Sequence, residues 1–123
     1  MDKIVETLKA LAEETRLQIV TILHDRGELC VCDFVGSLGL TQSKASRHLR
    51  YLYHAGLVNF TRDGLWMHYR LSPELSLEQK LIIEAAVQAL GLEQRRLLQT
   101  KLDQWLAQKE PRRAADEEKN DSR

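Results

Sequence analysis

The sequence predicts a mostly helical domain carrying a β-hairpin wing, on three observations. Apolar residues recur at helical spacing along most of the chain, and two β-prone runs flank an Asp-Gly pair. Ahead of those runs, Thr41 to Ala55 is apolar on one face, through Ala45, Leu49 and Leu52, and polar on the other, through Ser43, Ser46, Arg47 and Arg50. With 123 residues the chain suffices for one domain with a modest core.

Ile4, Leu8 and Leu11 mark a first helix to about Ala12, and Leu17, Val20 and Leu23 mark a second, the two divided near Glu13 or Thr15. His24 closes the second, where a protonated imidazole suits a helix C-terminus, and Asp25-Arg26-Gly27 reads as a stop. Glu28-Leu29 then leads into a helix with the stripe Val31, Phe34, Val35 and Leu38. It holds Cys30, Cys32 and an interior Gly36, which lowers helix stability by about 1 kcal/mol relative to alanine and makes the helix easier to deform. Gly39 with Leu40 supplies a tight connection, and Thr41 caps the amphipathic helix that follows: this is a helix-turn-helix pattern.

His54-Ala55-Gly56 ends that helix, and Leu57 to Thr61 and Leu65 to Leu71 read as two strands around Arg62-Asp63-Gly64. Arg62 is expected at the tip, Trp66 and Tyr69 support the ribbon, and His68 faces either DNA or solvent. From Leu75 to about Ala107 helical periodicity returns, through Leu77, Leu81, Ile82, Ala85, Leu98, Leu102, Trp105 and Leu106, with Gly91 a point of kinking or division. Glu110 to Arg123 is charged and contains Pro111. The expected organisation is a domain over 1–109 and a disordered tail over 110–123.

The formal net charge is zero, but it is unevenly distributed. Residues 1–40 carry four basic and seven acidic side chains, 41–73 carry five and one, and 74–123 carry nine and ten. The basic excess therefore sits on the amphipathic helix and hairpin, where phosphate contacts respond to local field rather than to whole-chain charge. Gln42, Ser43, Lys44, Ser46, Arg47, Arg50 and Arg62 are the expected DNA-binding residues, with Ser43, Ser46 and Arg47 nearest to base edges. Neither an export signal nor a membrane span is evident, and a cytoplasmic location is expected.

Cys30 and Cys32 are the chain's two cysteines. Two positions apart they are a poor disulfide framework, and in a reducing cytoplasm they read as thiolate ligands for a soft metal or metalloid. On an ideal helix they would stand about 200° apart, so a centre taking both sulfurs must distort the first turn. That distortion falls a few residues before the DNA-reading helix, and differential affinity of this kind is what allostery requires.

The runs ELCVCDF and TQSKASRHLRYLYHAGLV closely resemble the ArsR/SmtB family of metal-sensing repressors, specifically its arsenic-responsive branch, over roughly Val5 to Leu106. The resemblance implies a homodimeric winged helix-turn-helix repressor that binds an inverted-repeat operator and releases it when arsenite, or antimonite, binds Cys30 and Cys32. It assigns the first helix and the C-terminal helix to the dimer interface. Many relatives in this branch carry a third cysteine where this chain has Val35, so hydroxide, a small thiol such as glutathione, or a ligand shared between subunits is left to complete the site. No histidine follows His68, which argues against the C-terminal metal site of the family's zinc-sensing branch. Other thiophilic metals (Cd, Pb, Zn, Cu) and thiol oxidation remain alternative signals. A winged helix that binds protein rather than DNA is a further rival. Without a nucleophile, base and orienter set or a phosphate loop, an enzyme is not expected.

Overall fold

The computed structural model describes the backbone of residues 2–121 and the side chains of residues 2–109. Five helices and three short strands follow in the order α1 (Asp2–Leu11), α2 (Glu14–Arg26), β1 (Leu29–Cys30), α3 (Val31–Leu38), α4 (Gln42–His54), β2 (Val58–Asp63), β3 (Trp66–Leu71) and α5 (Leu77–Asp121). The mostly helical fold with a hairpin wing is as expected from the sequence. The core gathers Ile19, Ile22 and Leu23 of α2, Phe34 of α3, Leu49 and Leu52 of α4 and Leu57, closed by Val87 and Leu102 of α5.

The α1–α2 junction is built by two residues. Glu13 caps α2 by accepting a hydrogen bond from the Arg16 amide at 2.9 Å. Arg16 reaches back, its Nε donating to the Ala10 carbonyl at 2.8 Å, so it satisfies an orphan carbonyl at the end of α1. Its guanidinium also lies 4.0 Å from the Tyr51 ring centroid, which ties this junction to α4.

The sheet has the order β1-β3-β2, all antiparallel. Two details differ from expectation. Leu29 and Cys30, read as the entry to a helix, form a third strand against Tyr69 and His68. The wing turn is displaced as well: Asp63 pairs with Trp66, leaving Gly64 and Leu65 as the two-residue loop, with Gly64 at φ 61°. A two-residue hairpin favours positive φ at its first position, which glycine adopts without a Cβ penalty. Arg62 consequently lies one pair inside the tip, opposite Met67.

Helix α5 carries the second half of the core. Its backbone leaves helical geometry at Gly91 (φ 85°, ψ 161°), which divides it into a segment over 77–90 and another over 92–121. The first is fastened to α1 by buried Gln79, whose Nε2 donates to Thr7 Oγ1 at 3.2 Å. Asp25 accepts from Arg95 Nη2 and Nε of the second segment, at 2.6 and 3.1 Å, while His24 bridges Asp25 and Glu84 of the first at 2.8 and 2.6 Å. The expected disordered tail over 110–123 falls on residues whose side chains lie outside the described set. The backbone of α5 continues to Asp121.

Gly36, expected to soften α3, has a different use. A Cβ at this position would stand inside the indole of Trp105, so its absence is what lets α5 lie against α3. Gly36→Ala should therefore lower stability by about 1–3 kcal/mol through overpacking, although alanine is the better helix former by about 1 kcal/mol. Urea denaturation that shows a more stable variant would contradict this packing.

The α2–α5 cluster predicts a pH dependence. Burial pulls the His24 imidazole down, but hydrogen bonds to Asp25 and Glu84 outweigh it and hold the ring above its usual value. A raised folded value means stability that is fully present below the unfolded value and is lost as pH rises through the folded one. Wild type should lose more unfolding free energy than His24→Gln between about pH 6 and about pH 8. Equal losses would show that the cluster does not couple protonation to folding.

Candidate functional site

The site begins at a helix N-terminus. Cys30 is not on α3 but caps it, in extended conformation at φ −85° and ψ 159°. Its Sγ accepts from the Cys32 amide at 3.3 Å, and Asp33 Oδ2 accepts from the Cys30 amide at 2.8 Å. This is a reciprocal capping arrangement with sulfur in the place of a hydroxyl. It overturns the expectation that both cysteines stand on one helix. The extended backbone at Cys30 brings the Cα atoms to 5.4 Å and the sulfurs into bonding contact as a Cys30–Cys32 disulfide, a link that the two-residue spacing had argued against.

Asp33 is the hinge of the arrangement. It is 3% exposed, and its second oxygen, Oδ1, accepts from Trp105 Nε1 at 3.0 Å and from Lys109 Nζ at 2.8 Å. Lys109 is itself buried and lies 5.8 Å from the Trp66 ring centroid. One carboxylate thus joins the cysteine turn to the second segment of α5, and Lys109 brings α5 against the tip end of the wing. The sequence shows a signal for the near half of this set, since the spacing from Cys30 to Asp33 is that of an N-cap and its N3 partner. Nothing marked Trp105 as a hydrogen-bond donor or Lys109 as a buried cation.

Among the described residues, Cys30, Cys32 and Asp33 form one group able to hold a metal, with ligand atoms within 4.8 Å of one another. Two adjacent soft sulfurs suit a thiophilic centre once they are dithiol, whereas the carboxylate is already engaged by three donors. His68, opposite Cys30 in the sheet, has its Nδ1 3.8 Å from a Glu28 carboxylate oxygen.

The reader face is carried by α4, whose N-cap Thr41 accepts from the Lys44 amide at 3.1 Å. Gln42, Ser43, Lys44, Arg47 and Arg50 are exposed, Ser46 is half-buried, and Arg62 is exposed on β2. Burial, then Arg16, Arg47 and Lys44, push the His48 imidazole below its usual value despite Glu13, a local mark of the positive field along α4. The seven expected DNA residues stand differently toward one concavity of the surface. Gln42, Ser46, Arg50 and Arg62 line a cleft of about 580 Å³ that Cys30 and Cys32 also line, while Ser43, Lys44 and Arg47 are not part of that lining.

The helix-turn-helix with its wing has counterparts among known proteins. Residues 13–59 match the pattern of the bacterial regulatory proteins of the arsR family. An arsenical resistance operon repressor of Escherichia coli (strain K12) is 46% identical over 82 residues, covering 67% of this chain and 70% of that protein. The chain belongs to the arsR family. Two solved structures extend the likeness to this family's three-dimensional form. Reduced HlyU from Vibrio cholerae N16961 shares 41% identity at a TM-score of 0.64, over 74% of this chain and 90% of its own. The AntR antimony-specific transcriptional repressor shares 26% identity at a TM-score of 0.61, over 72% and 78%. The family's helix-turn-helix corresponds here to α3, the Gly39 turn and α4, so the arsR-type reader and the cysteine turn are consecutive in the chain. No described helix is long and apolar enough to cross a membrane.

Proposed function

We propose that this protein is an arsenite-responsive repressor, not an enzyme, that binds operator DNA through α4 and the wing and releases it when As(III) takes the Cys30 and Cys32 sulfurs. The observation that carries this reading is the cysteine pair at the N-cap of α3, in a chain 46% identical to an arsenical resistance operon repressor. Antimonite offers the same trivalent, thiophilic chemistry and is a second inducer on this reading. It implies a cytoplasmic protein.

The pair must be dithiol to bind. Two small thiols reduce the Cys30–Cys32 disulfide, supplying two electrons and two protons and leaving as their own disulfide. Ligation then reshapes the cap of α3, and Asp33, bonded to the Cys30 amide and to Trp105 and Lys109, carries the change into α5 while α3 carries it into the turn before α4. Operator affinity falls to the extent that As(III) binds the reshaped form more tightly.

The protein acts as a homodimer on an inverted repeat. Ile4, Val5 and Leu8 of α1 and Leu77, Leu81, Leu92 and Leu97 of α5 are exposed apolar side chains, a surface that a second copy would cover. Two-fold symmetry then presents two reader helices to half-sites about one helical turn, or a multiple, apart.

A second reading has its own support. The Cys30–Cys32 disulfide favours a repressor switched by thiol oxidation. Serine variants separate the two signals from DNA binding itself. Cys30→Ser and Cys32→Ser should hold operator as wild type does, yet fail to release it with As(III), because a hydroxyl does not replace a soft thiolate. Fluorescence anisotropy on operator DNA checks this. Release of either variant at the wild-type arsenite concentration would sink the two-sulfur trigger, and wild-type release by peroxide alone would favour the oxidation reading.

A further inference from the structure

The cleft beside the cysteines suggests what completes the arsenic site. Trivalent arsenic takes three ligands, and the protein offers two sulfurs. Val35 stands where a third cysteine could follow, and both Asp33 oxygens are spoken for by the Cys30 amide, Trp105 and Lys109. The cysteine turn itself thus leaves the third position open to a molecule from outside. The space for it is the cleft of about 580 Å³ that begins at Cys30 and Cys32 and runs between α4 and the wing. Its volume is in the range of small-molecule sites, roughly 300–1,000 Å³.

Its lining says which molecule. Arg50 from α4 and Arg62 from β2 present two guanidinium groups, with Tyr53, Phe60 and Trp66 as aromatic walls. Guanidinium groups pair with carboxylates by short, charge-assisted hydrogen bonds. We propose that the cleft is the binding site of a small anionic thiol, such as a tripeptide thiol with two carboxylates, which ligates arsenic through its sulfur and pairs its carboxylates with Arg50 and Arg62. This rests on the arsenite reading above. The chemistry balances without change of oxidation state: each of three thiols gives a proton to one hydroxyl of arsenous acid, three waters leave, and three As–S bonds form. The ligand then occupies two of the arginines expected to meet DNA phosphate, so inducer binding opposes operator binding through charge as well as through shape.

The test uses the reduced full-length protein, anaerobic, titrated with sodium arsenite and followed by near-ultraviolet As–S absorbance. One series contains glutathione and the other its diethyl ester, which has the same thiol with both carboxylates masked. Arsenite should bind about tenfold more tightly with glutathione than with the ester, and Arg50→Gln with Arg62→Gln should reduce that ratio to about one. Native mass spectrometry should find one glutathione per arsenic on the wild-type subunit. Equal affinity with both thiols, or an arsenic adduct without glutathione, overturns the cleft site while leaving the two-cysteine trigger standing. If arsenite binds with neither thiol, the arsenite reading fails and the cleft site fails with it.

Discussion

The buried carboxylate of Asp33 is the constraint on which the rest of this structure depends. A carboxylate 3% exposed is tolerable only because the Cys30 amide, the Trp105 indole and the Lys109 ammonium all donate to it. Those donors come from the turn before α3 and from α5, so satisfying one side chain fixes the place of the cysteines and the docking of the long helix together. Gly36 serves the same end by making room for Trp105, without which the indole could not reach Asp33.

The sensing and reading parts are joined twice. Through the chain, α3 passes by Gly39 directly into α4. Through space, one cleft is lined by both cysteines and by Gln42, Ser46, Arg50 and Arg62, so a group held at the sulfurs lies beside side chains expected to meet DNA. The first route transmits geometry and the second transmits charge. Neither needs a long pathway, because the cap of α3 and the face of α4 are neighbours.

Much of this was legible in the sequence, for physical reasons that also mark the limits. Helix period and the Asp-Gly pair located α1, α2, α4, α5 and the wing, because long amphipathic stripes and hairpin turns are local signals. The cysteine turn is less legible, because helix period places the start of α3 too early. Helix period cannot distinguish an N-cap from a first helical residue, and the decisive clue was the Cys30-to-Asp33 spacing, which behaves as Ser/Thr-x-x-Glu does. Turn chemistry placed the hairpin but not its loop, which is Gly64-Leu65 where the sequence suggests Arg62-Asp63-Gly64. Trp105 is legible as a residue of the last helix and Lys109 lies just past its expected end, but neither is legible as a partner of a carboxylate more than 70 positions away. Contacts of that range leave no periodic trace.

The most direct measurement is the operator affinity of Asp33→Asn with and without As(III), alongside arsenite binding by As–S absorbance. Asparagine keeps the shape and an acceptor for the Cys30 amide but removes the charge that holds Lys109. If Asp33 links the cysteine turn to α5, the variant should still bind arsenite through both sulfurs, while the ratio of operator affinities without and with As(III) drops well below that of wild type. A wild-type ratio in a folded Asp33→Asn protein would contradict that account.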